Sequence, residues 1–342
     1  MPREWNPPEQ WGRITTIDAH TAGEPLRIIT SGNPPIPGKT ILEKRRFARE
    51  HLDDLRTALL WEPRGHADMY GCIVTEPVTD DGTIGVLFMH NEGFSTMCGH
   101  GIIGLAVVGL DTGLIDLPGS NPVIKMDTPA GRVTAYAHRE EGQVKEVSFE
   151  NVPSFVSALD QEVDVPGLGM IHYDLAFGGA YYAFCQAEEV GVELNPENFR
   201  RLIDVGTRIK KAVVESATIN HPYEEDLSFL YGTILIGPAS APGVHSRNVC
   251  IFAEGEVDRC PTGTGVSARA AIHFARGQIH ENEQFVVESI LGTTFTGEVA
   301  GTTSFGPYAA VIPKVTGRAH ITGRNEFLFD PRDSLKSGFI LR

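Results

Sequence analysis

Two short glycine-rich turns carry the residues best suited to do chemistry. One reads Cys98-Gly99-His100-Gly101 and the other Thr262-Gly263-Thr264-Gly265. Each precedes an apolar stretch that reads as a helix. The first N–H groups of a helix lack partners within it. Together with the helix dipole they form an anion site, and glycine lets backbone approach a ligand closely. A carboxylate gripped by both helix ends would hold its neighbouring Cα between residues 98 and 262. Cys98 stands where a thiol pKa is expected to fall. His100 could hold the thiolate or bind a substrate group. Cys98 reads as a catalytic thiolate or as a buried, inert cysteine; the glycine context and the paired turn favour the first. The Thr262 hydroxyl is too weak an acid to be a ready base, but it can donate or accept a hydrogen bond. Cys260 lies before Pro261, away from the helix end, and reads as a loop or core thiol.

The elements that position these turns recur in the same order in each half. Strands are expected at Arg13–Ile17 and Leu26–Thr30, then a helix over Thr40–Trp61 with Thr40 and Glu43 as a capping box. Strands follow at Tyr70–Thr75 and Thr83–His90, then a buried helix over Gly101–Leu110. Three strands close the half, at Val123–Asp127, Arg132–His138 and Val144–Asn151. The second half offers strands at Met170–Leu175 and Ala180–Cys185, and a helix over Pro196–Ile219 capped by Asn195. Strands at Phe229–Ile236 and Val249–Glu254 follow, then a helix from the second glycine turn to Arg276, and strands over Gln284–Phe329. The two turns lie about half a chain apart, which reads as duplication of one α+β unit.

Several function classes are disfavoured. The 342 residues carry a net charge of −15 with no stripe of Lys or Arg, which argues against nucleic acid or an anionic membrane as partner. Five cysteines show no CxxC spacing, so neither a disulfide framework nor a zinc knuckle is suggested, and a reducing cytoplasm fits. The longest apolar stretch, near Ile102–Leu110, is far too short for a membrane span. Gly99–Gly104 fits GxGxxG and Gly263–Ala268 fits GxGxxA. A dinucleotide site needs those glycines directly after a strand and an acid ~20 residues on. Here loops intervene and Asp111 comes too early. Cys/His hydrolase and metal-site signatures are lacking as well, so no metal is expected.

The motifs MCGHG at Met97–Gly101 and DRCPTGTGVSAR at Asp258–Arg269 resemble the two active-site motifs of the proline racemase family. That family includes hydroxyproline 2-epimerases and trans-3-hydroxy-L-proline dehydratases. DAHTAGEPLR at Asp18–Arg27, ENVPSF at Glu150–Phe155 and Phe177-Gly178-Gly179 are similar too, so the resemblance covers almost the whole chain. It implies a diaminopimelate-epimerase-like α+β fold with two pseudo-symmetric domains. Each would be a curved, mostly antiparallel sheet wrapped around a central helix. The first is expected over 1–138 with Cys98, the second over 139–324 with Thr262, and a segment of about 325–342 returns to the first. The resemblance further implies a cofactor-free homodimer. Gly99, His100, Asp258, Gly263 and Thr264 would bind the substrate, with His100 and Asp258 near a ring nitrogen and backbone N–H groups on a carboxylate. His20, His66, His90 and Arg27 read as hydrogen-bonded scaffold.

One departure matters. Racemases of this family resemble the chain but carry a second cysteine where Thr262 stands. Inversion needs a base on one face of Cα and an acid on the other. With Thr262 the second thiol is lost, and the pattern resembles the trans-3-hydroxy-L-proline dehydratases. In that substrate the α-hydrogen and the 3-hydroxyl share a face, so Cys98 alone could take the proton. The hydroxyl would leave as water, protonated by Cys98 itself, by a bound water or by Thr262, giving Δ1-pyrroline-2-carboxylate. A 2-epimerase or proline racemase, and a non-catalytic amino-acid-binding protein on the same scaffold, are the competing expectations.

Overall fold

The computed structural model describes residues 5–341. In chain order the first part contains β1 (Gly12–Thr21), β2 (Glu24–Ser31), α1 (Ile41–His51), α2 (Asp53–Leu60), β3 (Tyr70–Thr75), β4 (Ile84–His90), β5 (Gly93–Phe94), α3 (Gly99–Asp111), β6 (Val123–Thr128), β7 (Gly131–Glu140) and β8 (Gln143–Glu150). The second contains β9 (Ser154–Val165), β10 (Gly169–Phe177), β11 (Tyr181–Gln186), α4 (Phe199–Ser216), β12 (Leu230–Gly237), β13 (Ser246–Phe252), β14 (Glu256–Val257), α5 (Gly263–Ala275), β15 (Gln284–Glu288), β16 (Thr294–Phe305), β17 (Tyr308–Gly317) and β18 (Ala319–Phe329).

These strands close two rings. The first runs β1-β2-β3-β4-β6-β7-β8, then through the end of β17 into β18 and back to β1. The second runs β9-β10-β11-β12-β13-β15-β16-β17 and back to β9. The chain crosses between rings from Glu150 to Ser154 and again from Gly317 to Ala319. Most pairings are antiparallel. The parallel ones, β2–β3 and β4–β6 in one ring and β11–β12 and β13–β15 in the other, fall at matching places. In each ring the first of them is bridged by outer helices and the second by the central helix, as duplication requires.

A helix can fill a ring only if it is apolar all round. In α3 every residue from Gly99 to Leu110 is buried, and α5 is buried from Gly263 to Ile272. The outer helix α4 buries one stripe, Leu202, Val205, Ile209, Ala212 and Val213. Among the described residues no helix is long and apolar enough to cross a membrane.

Three local expectations change. The helix expected over Thr40–Trp61 is broken at Leu52 (φ −121, ψ 15). The bend lets Leu52, Leu59 and Leu60 all enter one apolar cluster with Ile29, Ile73 and Leu87. Thr40 does cap Glu43 N–H at 3.1 Å, while the Glu43 carboxylate reaches past it to the N–H of Lys39 at 2.6 Å. The helix expected from Pro196 opens as a 3-10 turn and is α-helical only over Phe199–Ser216. Strand β9 has no counterpart in the sequence reading. Its apolar alternation is broken where Leu159 and Asp160 bulge from the ladder, with Asp160 at φ 52.

The two central helices meet tip to tip. A Cβ built on Gly99 would lie 2.6 Å from the Cα of Gly263, and one on Gly263 would lie 2.7 Å from the Cα of Gly99. Both distances are below any real contact, so only glycine permits this approach. Gly99→Ala is therefore expected to force the tips apart at a cost of about 1–3 kcal/mol. A fall in the thermal unfolding midpoint, with loss of activity, is the expected readout; an unchanged midpoint would show that the tips bear no such constraint.

Candidate active site

Around the touching tips lies a small cavity lined by Glu24, Tyr70, Met97, Cys98, Gly99, His100, Tyr182, Tyr231, Cys250, Phe252, Asp258, Thr262, Gly263 and Thr264. All seven site residues expected from sequence (Cys98, Gly99, His100, Asp258, Thr262, Gly263, Thr264) border it. The loop Phe177–Gly179 braces it from outside. The Gly178 carbonyl accepts from Asn151 Nδ2 at 2.8 Å and the Gly179 carbonyl from Thr96 Oγ1 at 2.7 Å.

Cys98 is the N-cap of α3. Its backbone is extended (φ −147, ψ 107), which turns Sγ back to accept the Gly101 N–H at 3.2 Å. The ring of His100 stands beside it, Nδ1 at 3.2 Å from Sγ. His100 also hydrogen-bonds the backbone of Pro25. Proline has no N–H, so the imidazole is the donor there. Burial lowers the His100 pKa to about 4, against smaller opposing effects of Asp258 and Pro25. The ring is thus neutral at physiological pH, with one nitrogen given to Pro25 and the other free to accept from the Cys98 thiol.

The expected fall of the Cys98 pKa is not found. Burial, first, and then the charge of Asp258 push the thiol well above its ordinary value. The Gly101 N–H and the neighbouring Tyr70 hydroxyl pull the other way and do not prevail. A helix tip lowers a thiol pKa when sulfur keeps its solvent; here Cys98 is only 4% exposed, and desolvation wins.

Thr262 holds the matching position on α5 but with other geometry. Its φ of 67 and ψ of 92 lie outside the regions a β-branched residue normally occupies, a strain of order 1–3 kcal/mol. It makes no side-chain cap. Instead Oγ1 donates to Asp258 Oδ2 at 2.8 Å, while its N–H donates to Cys260 Sγ at 3.3 Å. The other Asp258 oxygen accepts the Cys260 N–H at 2.8 Å. Cys260 is a fully buried brace for this turn. His100, Asp258 and Cys260 each bring one ligand atom within 4.8 Å of the others, a spacing that a metal could bridge. Each is already tied into the hydrogen bonds just described.

Tyr182 hydrogen-bonds Thr264 Oγ1 at 2.7 Å, and Tyr70 hydrogen-bonds Ser95 Oγ at 2.6 Å, so the cavity walls are rigid aromatic faces with satisfied hydroxyls. Among the residues expected as scaffold, Arg27 pairs with Asp18 at 2.7 Å and binds the Leu59 carbonyl. His90 pairs with Glu256 at 3.0 Å, and His20 accepts from the Gly23 N–H. Sequence reading missed Glu24 and Cys250. Glu24 lies within DAHTAGEPLR, a stretch whose only sequence signal for chemistry is its histidine and arginine. Cys250 lies in a strand with no glycine signal.

A family model described as proline racemase matches residues 16–340. The chain is 47% identical over 342 residues to a trans-3-hydroxy-L-proline dehydratase of Colwellia psychrerythraea, covering 99% of this chain and 96% of that protein. It is 43% identical over 335 residues to the trans-3-hydroxy-L-proline dehydratase of Homo sapiens, covering 96% and 95%. A hydroxyproline epimerase from Agrobacterium vitis, solved with bound trans-4-hydroxy-L-proline, superposes with a TM-score of 0.92 at 29% identity, covering 98% of this chain and 96% of that one.

The raised Cys98 pKa sets a pH dependence for the free protein. Alkylation needs the thiolate, so its rate rises until pH passes the thiol pKa. Iodoacetamide labelling mapped to Cys98 is expected to climb through about pH 8.5, the ordinary thiol value, without levelling. A plateau below that pH would mean that the helix tip, not burial, governs the sulfur.

Proposed function

The chain belongs to the proline racemase family, and from that premise we propose that it dehydrates trans-3-hydroxy-L-proline to Δ1-pyrroline-2-carboxylate. One observation carries the reading: the paired helix tips present a thiol at Cys98 and only a hydroxyl at Thr262. The relatives named as dehydratases of this substrate match over nearly the full length.

The substrate carboxylate sits on the free N–H groups of the two tips, around Gly99, His100, Gly263 and Thr264. The ring ammonium faces His100 and Asp258, and its charge offsets the carboxylate that opposes ionisation of Cys98. Burial that raises the thiol pKa also makes the thiolate a stronger base, which suits a weakly acidic Cα–H. Cys98 takes that proton, and the Cα–H electron pair becomes the C2–C3 double bond. The hydroxyl, on the same face, departs as water, and the enamine tautomerises to the cyclic imine. Thr262 keeps its hydrogen bond to Asp258 and orients that carboxylate. The reading extends to a cofactor-free homodimer in the cytoplasm.

Cys250 favours a second reading. It lines the same cavity beside Thr262, and a second thiol could serve a 2-epimerase. Burial and the nearby Asp258 charge hold this thiol well above its usual pKa, and it lies on a strand rather than at a helix tip.

Incubation with trans-3-hydroxy-L-proline and with trans-4-hydroxy-L-proline separates the two. An imine trapped from the first, with no change in optical rotation of the second, is expected, and Cys98→Ala should abolish the imine. Inversion of the 4-hydroxy substrate without imine from the 3-hydroxy one would overturn the dehydratase reading. Thr262→Cys is expected to restore a second proton carrier, so that solvent deuterium enters both the L and D forms of proline. Label confined to one enantiomer would refute the assignment of opposite faces to residues 98 and 262.

A further inference from the structure

We propose that Glu24 is the acid that protonates the departing 3-hydroxyl. The inference rests on the dehydratase reading and supplies the second proton transfer that the reaction needs.

Glu24 opens β2 and is fully buried, yet it borders the same cavity as Cys98, His100 and Asp258. Its Oε2 accepts the Arg259 N–H at 2.6 Å. Its Oε1 is buried with no hydrogen-bond partner among the described residues. A buried polar oxygen without a partner is costly, and one bordering a ligand cavity is satisfied when ligand arrives.

Its charge state follows from its neighbours. Glu24 and Asp258 oppose one another in a site with little water, and two such carboxylates do not both ionise. Asp258 has a donor on each oxygen, from Cys260 and Thr262; Glu24 has one. The Arg259 guanidinium does not redress this, since it is paired with Asp68 at 2.8 Å and donates to the Val257 carbonyl. Burial, then Asp258, raise the Glu24 pKa well above the carboxylate range, with Asp68 adding to the rise and Arg259 opposing it. Cys98, His100 and Tyr70 are the other titratable groups lining the cavity from this ring; burial holds His100 neutral and the Tyr70 hydroxyl protonated. Glu24 is therefore a carboxylic acid, and its unpartnered oxygen has a proton to give. Such a group recognises an oxygen lone pair rather than an ammonium.

Position selects the hydroxyl. Elimination from trans-3-hydroxy-L-proline needs base and acid on one face. Glu24 and Cys98 come from the same strand ring, and Pro25, next in chain to Glu24, holds the His100 ring that flanks Cys98. Thr262 approaches from the opposite tip and its proton is committed to Asp258. Substrate binding frees the resting Cys98 thiol of its proton, which passes to solvent. The thiolate sulfur then gains the α-proton, and the Cα–H pair forms the C2–C3 double bond. The C3–O bond breaks with its pair on oxygen, and the Glu24 proton converts that oxygen to water. The resting thiol and carboxylic acid are restored when solvent returns one proton to Glu24.

Glu24→Gln is nearly isosteric and cannot protonate a leaving group. The test compares trans-3-hydroxy-L-proline with trans-3-fluoro-L-proline, whose fluoride leaves without a proton. Imine trapping follows the first and fluoride release the second. In the variant, kcat for the hydroxy substrate is expected to fall by about 100-fold or more, and that for the fluoro substrate by less than about threefold. Equal losses on both, or no loss on either, would overturn the role of Glu24 while leaving the dehydratase reading intact. A wild-type protein inert toward both substrates would overturn the two together.

Discussion

Everything about this site depends on two helix tips touching through glycine. The Cα atoms of Gly99 and Gly263 approach so closely that no side chain fits at either, and the strand rings around α3 and α5 hold them there. Unpaired N–H groups from two helices then converge on one small volume, which is rare because such ends normally face solvent or a cap. The arrangement selects an anion and fixes what flanks it. Whatever carries the carboxylate must expose its α-carbon to residue 98 on one side and residue 262 on the other. Closed rings serve this geometry well, since a ring has no free edge along which its central helix could slide.

The price of that enclosure is desolvation, and the polar groups of the site are arranged around it. Burial opposes charge on Cys98, His100 and Glu24 alike. Asp258 has a donor on each oxygen, which offsets the cost of burying its carboxyl group. A cavity with a thiol, a neutral imidazole, a carboxylic acid and one well-bonded carboxylate suits a zwitterion, which brings its own positive and negative ends. The energy spent keeping protons on the sulfur and on Glu24 is recovered only when the ligand fills the place of water. Water is thereby excluded from a reaction whose product is a hydrolysable imine.

Much of this was legible in the sequence, for a physical reason. Cys98, His100, Thr262 and Thr264 could be read because glycine turns before apolar runs are a local code: the same few residues make the turn, cap the helix and approach the ligand. The fold was legible for a similar reason, since duplication prints the pattern twice. Glu24 was not, because its role arises from the residues that oppose it from the other ring, Asp258 and Arg259, more than two hundred positions away. The direction of the thiol pKa is not legible in the sequence, because a helix tip is visible there while the depth of its burial is not. Strand β9 escaped because the bulge at Asp160 breaks the alternation that marks a strand, and the break at Leu52 because tertiary packing bent a helix that local propensity would have continued.

The two tips share an ancestry of form but not of chemistry. Cys98 has an ordinary extended cap geometry and points its sulfur along its own helix. Thr262 sits in a strained conformation that turns its hydroxyl toward Asp258 instead. The contact it secures holds the Asp258 carboxyl beside the second helix tip, the side on which, in the proposed reaction, an inverting enzyme would need a proton. With the Thr262 hydroxyl committed there, that tip offers no second thiol to a carbanion at Cα. On the proposed reading its electron pair is left one productive outlet, the C3–O bond on the face assigned to Cys98, so a hydroxyl in place of a second thiol favours elimination over inversion.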